Sequence, residues 1–268
     1  MSDAARVSEQ PDQVESPIWY SQEEATEATT SGMEASPTPP ARNDYGQPIG
    51  APVADWTERS RPGRTPMEGR LCRLEPLQAD RHADALYERY STAPDARDWT
   101  YLPYGPVATR SAFRELATSV QDADDPGFFV IDAGEGPVGV AAFMRINSEH
   151  GSIEVGHVHY SRALQGHPAG TEAMYLMMRR AFDELGYRRY EWKCHALNAR
   201  SVSAARRLGF TYEGTFRQAS VVKGRNRDTA WFSLLDHEWP GARARFEAWL
   251  SADNFDAAGK QRRRLQDC

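Results

Sequence analysis

Cysteine is scarce in this chain. Cys72, Cys194 and Cys268 are its three cysteines in 268 residues. They are odd in number, far apart and without a C-x-x-C pair, so neither a disulfide framework nor a metal site of the zinc type is implied, and a reducing cytoplasmic setting is expected. A long apolar run is also missing. No window approaches the roughly 18 to 20 apolar residues of a membrane span, and the opening "MSDAARVSEQPDQVESPIWY" has no basic segment leading into an apolar one. Basic excess is lacking too: a net charge of -6 provides no electrostatic footprint for nucleic acid or an anionic membrane. No internal repeat is visible.

What is present is a globular composition, 40% hydrophobic, enough to bury a sizeable core. Residues 1–43, rich in Ser, Thr, Glu, Ala and Pro, hold too little apolar area to offset ordering entropy and are expected to be a disordered tail. Residues 44–67 mix Pro and Gly with Trp56 and read as an irregular lead-in. Regular structure begins at "RLCRLEPL", a strand. Ala83, Leu86, Tyr87 and Tyr90 follow at helical spacing, then comes a second helix capped by Thr109. "GFFVIDA" and "GPVGVAAFMRIN" form a hairpin, and "GSIEVGHVHYS" is a fourth strand. In "GTEAMYLMMRRAFDELG", Met174, Met177, Met178, Ala181, Phe182 and Leu185 make one buried helical face, stopped by Gly186. "YRRYEWKCHA" is a fifth strand, "NARSVSAARRLG" a helix capped by Asn198, and a closing hairpin turns at "KGRNR". A last helix and a short tail occupy 240–268. The order β-α-α-β-β-β-α-β-α-β-β describes an α/β domain over 68–239 with helices on both sheet faces.

Three motifs in that order carry a family resemblance: Gln165-Gly166-His167-Pro168-Ala169-Gly170 followed by "TEA", Asn198-Ala199-Arg200-Ser201, and "RLGFTYEGTFRQ" running on to "KGRNRDTAWFSLLDHEW". The chain resembles the GNAT superfamily of acyl-CoA-dependent N-acetyltransferases, most closely its RimJ/RimL-like branch of ribosomal-protein N-terminal acetyltransferases. The resemblance implies a mixed, mostly antiparallel central sheet splayed between the fourth and fifth strands. It implies acetyl-CoA as acyl donor, no metal, and an amine acceptor that is a small molecule or a protein N-terminus. It leaves a homodimer open.

The Gly-rich turn opening a helix offers N–H groups and the positive end of the helix macrodipole to a pyrophosphate. Gln165, Gly166, His167, Ala169, Gly170 and Thr171 are the candidate cofactor-binding residues. Pro168 stands where the family has a glycine and removes one donor. In the family an asparagine at the Asn198 position contacts the pantetheine arm, although an N-cap accounts for it equally. Ser201 matches the branch's serine and is the candidate acid for the leaving thiolate; Ala205, where other branches place a tyrosine, has no proton to give. Glu154, eleven residues before Gln165, is the candidate base, with His157 and His159 as alternatives; an ion pair with a neighbouring Arg is its competing reading. Where the branch carries a base glutamate this chain has Ser220. Cys194 reads as a small buried hydrophobe, and Trp99, Tyr101 and Tyr104 as packing or as the acceptor wall. A non-catalytic acyl-CoA-binding module with the same fold is the alternative function.

Overall fold

The computed structural model describes residues 40–257 and 259–268. The expected disordered tail therefore lies outside the described residues except for its last four. The chain divides into two units. In the first, residues 40–55, β1 (Ala41–Arg42) pairs antiparallel with β2 (Pro48–Ile49), and Asn43 Oδ1 accepts the N–H groups of Tyr45 and Gln47 at 3.0 Å each. The expected lead-in, 44–67, thus contains one short strand and the first residue of the next, Met67.

The second unit, Trp56–Cys268, holds an eight-stranded sheet. Its strands are β3 (Met67–Glu68), β4 (Arg73–Pro76), β5 (Gly127–Asp132), β6 (Pro137–Asn147), β7 (Ser152–Tyr160), β8 (Arg189–His195), β9 (Thr211–Val222) and β10 (Arg225–Leu235). They lie in the order β3-β4-β5-β6-β7-β8-β10-β9, all antiparallel except β7 and β8. The helices are α1 (Ala79–Ser91), α2 (Arg110–Val120), α3 (Pro168–Arg179), α4 (Ala199–Arg207) and α5 (Trp239–Leu250). Among the described residues no helix is long and apolar enough to cross a membrane.

Strand β5 shows why its sequence is apolar throughout. Phe129 and Ile131 face the core of α3 and α5, while Phe128 and Val130 face a second core built on α1 and α2. A strand covered on both faces reads as a continuous hydrophobic run. The methionine stripe of α3 packs into the first core as its spacing predicts. Helix α3 starts two residues before Gly170, because Pro168 is pre-set for the first helical position and His167 caps it. It ends in a π-turn over Arg180–Glu184, after which Gly186 takes φ +69°. The C-terminal segment folds back on the domain: Asn254 is buried, its amide donating to Trp249 O and its Oδ1 accepting from Arg263 N, both at 2.9 Å, and Leu265 enters the core.

Two buried polar groups tie the layers together. Glu172, 4% exposed on α3, accepts the N–H groups of Arg70, Leu71 and Cys72 at 2.9, 2.6 and 2.8 Å. A Cβ on Gly69 would lie 2.4 Å from the same carboxylate, so only glycine fits this turn. In the second core the His159 ring stacks on Tyr90 at 3.9 Å and meets Trp99 edge-on at 4.3 Å. Burial pushes its pKa down to about 4.

Two outcomes follow. Glu172→Ala strands three backbone donors and should lower unfolding stability by about 3 kcal/mol; an unchanged denaturant midpoint would show that the carboxylate holds nothing. His159 is neutral in the fold and protonates more readily once unfolded. Its stabilisation is therefore complete above pH 6.5 and is lost as pH falls towards 4, amounting to about 3 kcal/mol. Denaturation across that window should show steeper acid destabilisation in the native chain than in His159→Phe.

Candidate active-site cleft

Strands β7 and β8 pair only from Ser152↔Arg189 to Val155↔Trp192 and then part. Residues 156–160 remain bonded to β6 on one side and, among the described residues, have no partner strand on the other. A bulge falls here, with Val140↔His159 and Ala142↔Gly156 as flanking pairs, and His157 takes φ +50°. The gap is one wall of a cleft of about 1730 Å³. That exceeds the few hundred to about 1,000 Å³ of most single-ligand pockets, leaving room for an extended ligand and a second molecule.

On the α3 side the wall is the turn 164–171. Gln165 ties it to β7 by donating to Tyr160 O at 3.0 Å, and Gly166 adopts φ +75°. Not every candidate N–H faces the cleft. Ala169 is fully buried, and its N–H goes to His167 Nδ1 at 3.2 Å. The N–H of Gly170 goes to His167 O and that of His167 to Leu164 O, at 3.0 and 3.1 Å. Among the described residues the N–H of Gly166 has no protein acceptor, whereas that of Thr171 falls within the first hydrogen-bonded turn of α3. Gly170 serves helix–strand packing: a Cβ there would come within 2.9 Å of the Tyr160 ring, whose hydroxyl donates to Gly170 O at 2.8 Å.

Arg207, which opens the "RLGFTYEGTFRQ" motif without being a candidate site residue, reaches this helix start and donates to Thr171 Oγ1 at 3.1 Å. Burial lowers its pKa, and no carboxylate pairs with it among the described residues. The residues therefore suit a pyrophosphate: the free N–H of Gly166, a helix N-terminus and an unneutralised guanidinium. The folded-back C-terminal segment adds Lys260 and Gln261 to the same wall.

Across the gap, Asn198 Oδ1 accepts from Ser201 N at 3.2 Å, a capping bond that leaves the amide nitrogen of Asn198 unused. Ser201 Oγ accepts from Trp192 Nε1 at 3.0 Å. Cys194, beside Ser201, is buried, and desolvation pushes its thiol up.

Helices α1 and α2 cover the opposite sheet face over β5, β6 and the His159 end of β7. Beyond them it is paved with charge. Arg145 Nη1 donates to Glu154 at 2.8 and 2.9 Å, and Lys193 Nζ lies 3.0 Å from Glu154 and 2.6 Å from Glu191. Arg189 then joins Glu191 at 2.6 Å to Glu213. Lys193 also sits 3.7 Å above the Trp231 ring. Glu154 is thus clamped by two cations, and burial, the larger effect, raises its pKa. His157 lines the cleft with its ring stacked on Tyr104 at 5.6 Å. Desolvation and then Arg145 lower its pKa, and Nδ1 is buried without a partner among the described residues. His159 belongs to the aromatic stack. Tyr101 spans the cleft mouth, donating to Leu197 O at 3.1 Å, while Lys223 donates to Trp99 O at 2.8 Å.

The structure therefore gathers Glu154, His157, Gln165, Gly166, His167, Gly170, Thr171, Asn198 and Ser201 around one cleft and leaves Ala169 in the core. The motifs do not reveal Lys193 or Arg189, yet the alternation of "YRRYEWKCHA" places them with Glu191 on one strand face.

Residues 71–211 match the family of the acetyltransferase (GNAT) domain. A GCN5-related N-acetyltransferase from Brucella melitensis is 47% identical, with TM-score 0.78 over 80% of this chain and 98% of that one. The uncharacterized N-acetyltransferase p20 of Bacillus licheniformis is 27% identical over 59% of this chain and 90% of its own length. YdaF of Bacillus subtilis, provisionally named a ribosomal N-acetyltransferase, is 27% identical over 63% and 91%. The microcin C7 self-immunity acetyltransferase MccE, whose structure holds acetyl-CoA and AMP, shares the fold at 19% identity and TM-score 0.55, over 62% of this chain and 93% of its own. A splayed, mostly antiparallel sheet with an anion-suited turn at the splay, and a family match over more than half of the chain, together identify it as a member of the GNAT acetyltransferase family.

Proposed function

We propose that the chain transfers an acetyl group from acetyl-CoA to a primary amine by direct attack in a ternary complex. The parting of β7 and β8 carries this reading: it leaves one continuous cleft with an anion-suited turn on one wall and a charged face on the other. Acetyl-CoA supplies the activated acetyl thioester. The N–H of Gly166 and the start of α3, with Arg207 held there by the Thr171 hydroxyl, bind its pyrophosphate; Gln165 and His167 shape that turn, and the free amide of Asn198 takes the pantetheine arm. Unpaired N–H groups along residues 156–160 polarise the acetyl carbonyl.

Ser201 is suited to protonate the leaving sulfur. Trp192 occupies an acceptor site on its oxygen, so the hydroxyl acts as a donor, with the Cys194 thiol as its neighbour and the leaving sulfur as its alternative acceptor. His157, neutral at pH 7 because burial lowers its pKa, accepts the amine proton. Glu154 has both oxygens engaged by Arg145 and Lys193; it is a poor acceptor and sets the field around His157. Acid and base groups contribute about 10²- to 10⁴-fold, and positioning supplies most of the rest.

Release of CoA thiol across a panel of amines tests the reaction. Ser201→Ala should lower kcat about 10- to 100-fold while acetyl-CoA affinity stays within about 3-fold; equal loss of both would reduce Ser201 to a binding role. His157→Gln should lose kcat similarly. In the native chain the acid limb of kcat should fall below pH 6.5, because His157 protonates less readily than an ordinary imidazole. Acetyl-CoA raising Tm with no thiol release from any amine would favour the non-catalytic module.

A further inference from the structure

The charged face beyond β6 is self-neutral: Arg145, Lys193 and Arg189 alternate with Glu154, Glu191 and Glu213. Arg227 stands outside that balance. It extends from β10 into the same cleft wall, beside Arg145 and Glu154. Its Nε donates to Thr229 Oγ1 at 3.2 Å. Among the described residues neither terminal nitrogen has an acceptor, and no carboxylate lies within 4.0 Å. The neighbouring Asp228 does not neutralise it, being engaged by Gln218 N–H at 2.8 Å and Asn226 Nδ2 at 2.9 Å. Directly opposite Arg227 in the β9–β10 ladder is Ser220, which carries no charge.

The guanidinium is half-buried, and desolvation, then Arg145, lower its pKa. A cation withdrawn from water is costly unless something pairs with it. Two free terminal nitrogens on a planar fork match the two oxygens of a carboxylate. We propose that Arg227 binds an anionic group of the acceptor, so that the acceptor is an amine that also carries a carboxylate. A free amino acid and a peptide with an acidic side chain next to its N-terminus both present that chemistry. The inference rests on the acetyl-transfer reading and deepens it.

The test uses the full chain with acetyl-CoA and matched acceptors: L-amino acids against their C-terminal amides, and amidated peptides with Asp against Asn at the second position. For the preferred source, kcat/KM should favour the acid over its neutral partner by about 10- to 100-fold, chiefly through KM. Which pair responds distinguishes free amino acid from peptide. Arg227→Met should bring the ratio close to one, and Arg227→Lys should restore part of it. Ser220→Glu changes an exposed residue and should also abolish the preference, by placing an internal carboxylate opposite Arg227.

A second arm does not depend on turnover. With CoA present, the N-acetylated forms of the same acids should raise Tm more than their neutral partners in the native chain and not in Ser220→Glu. Equal responses to acid and neutral partner in both arms overturn the proposal. No thiol release from any amine, with the preference for acids intact in the Tm arm, would overturn acetyl transfer and retain Arg227 as a carboxylate site.

Discussion

The separation of two parallel strands after four paired positions is the constraint on which the rest of the site depends. β7 and β8 are each held on their outer side, by β6 and β10, so they diverge on the inner side without either leaving the sheet. Backbone groups released in this way are costly if buried without partners. In a cleft they become donors and acceptors for a ligand. The chain leaving β7 must also turn back to enter α3, which brings a helix N-terminus to the point where the strands part.

The two faces of the sheet are covered by different physics. Under α3 and α5 the contacts are apolar and continuous, and Glu172 fixes α3 to the β3–β4 turn through three backbone donors. Beyond the reach of α1 and α2, the other face uses alternating charges on β6, β7, β8 and β9 whose members compensate one another. Such a ladder supports hydrogen-bonded side chains at the mouth of a solvent-filled cleft, where an apolar face would collapse or recruit another surface. Glu154 is best understood as one rung of it.

Much of the architecture was legible in the sequence because local signals and tertiary demands coincide. Thr109 and Asn198 do cap their helices, accepting from Ala112 N and Ser201 N at 3.2 Å each, and the methionine stripe is core. The turn before α3 was legible as an anion-suited feature, but its donors were not. Counting N–H groups on Gly166, His167, Ala169, Gly170 and Thr171 takes no account of His167, whose ring and carbonyl take two of them. The C-terminal segment looked like a tail because its composition is polar. One buried asparagine and one buried leucine are enough to fold it back.

The sequence by itself determined the elements, their order, the family and the turn that opens α3, since each depends on periodicity, capping or motif spacing within a few residues. The tertiary structure alone decided which N–H groups of the turn His167 takes, that Glu154 is held between Arg145 and Lys193, and that Arg227, opposite Ser220, has no carboxylate within 4.0 Å among the described residues. The physical reason is that hydrogen bonding and charge compensation are settled between residues distant in sequence. Only strand register and packing bring those residues within a few ångströms of one another.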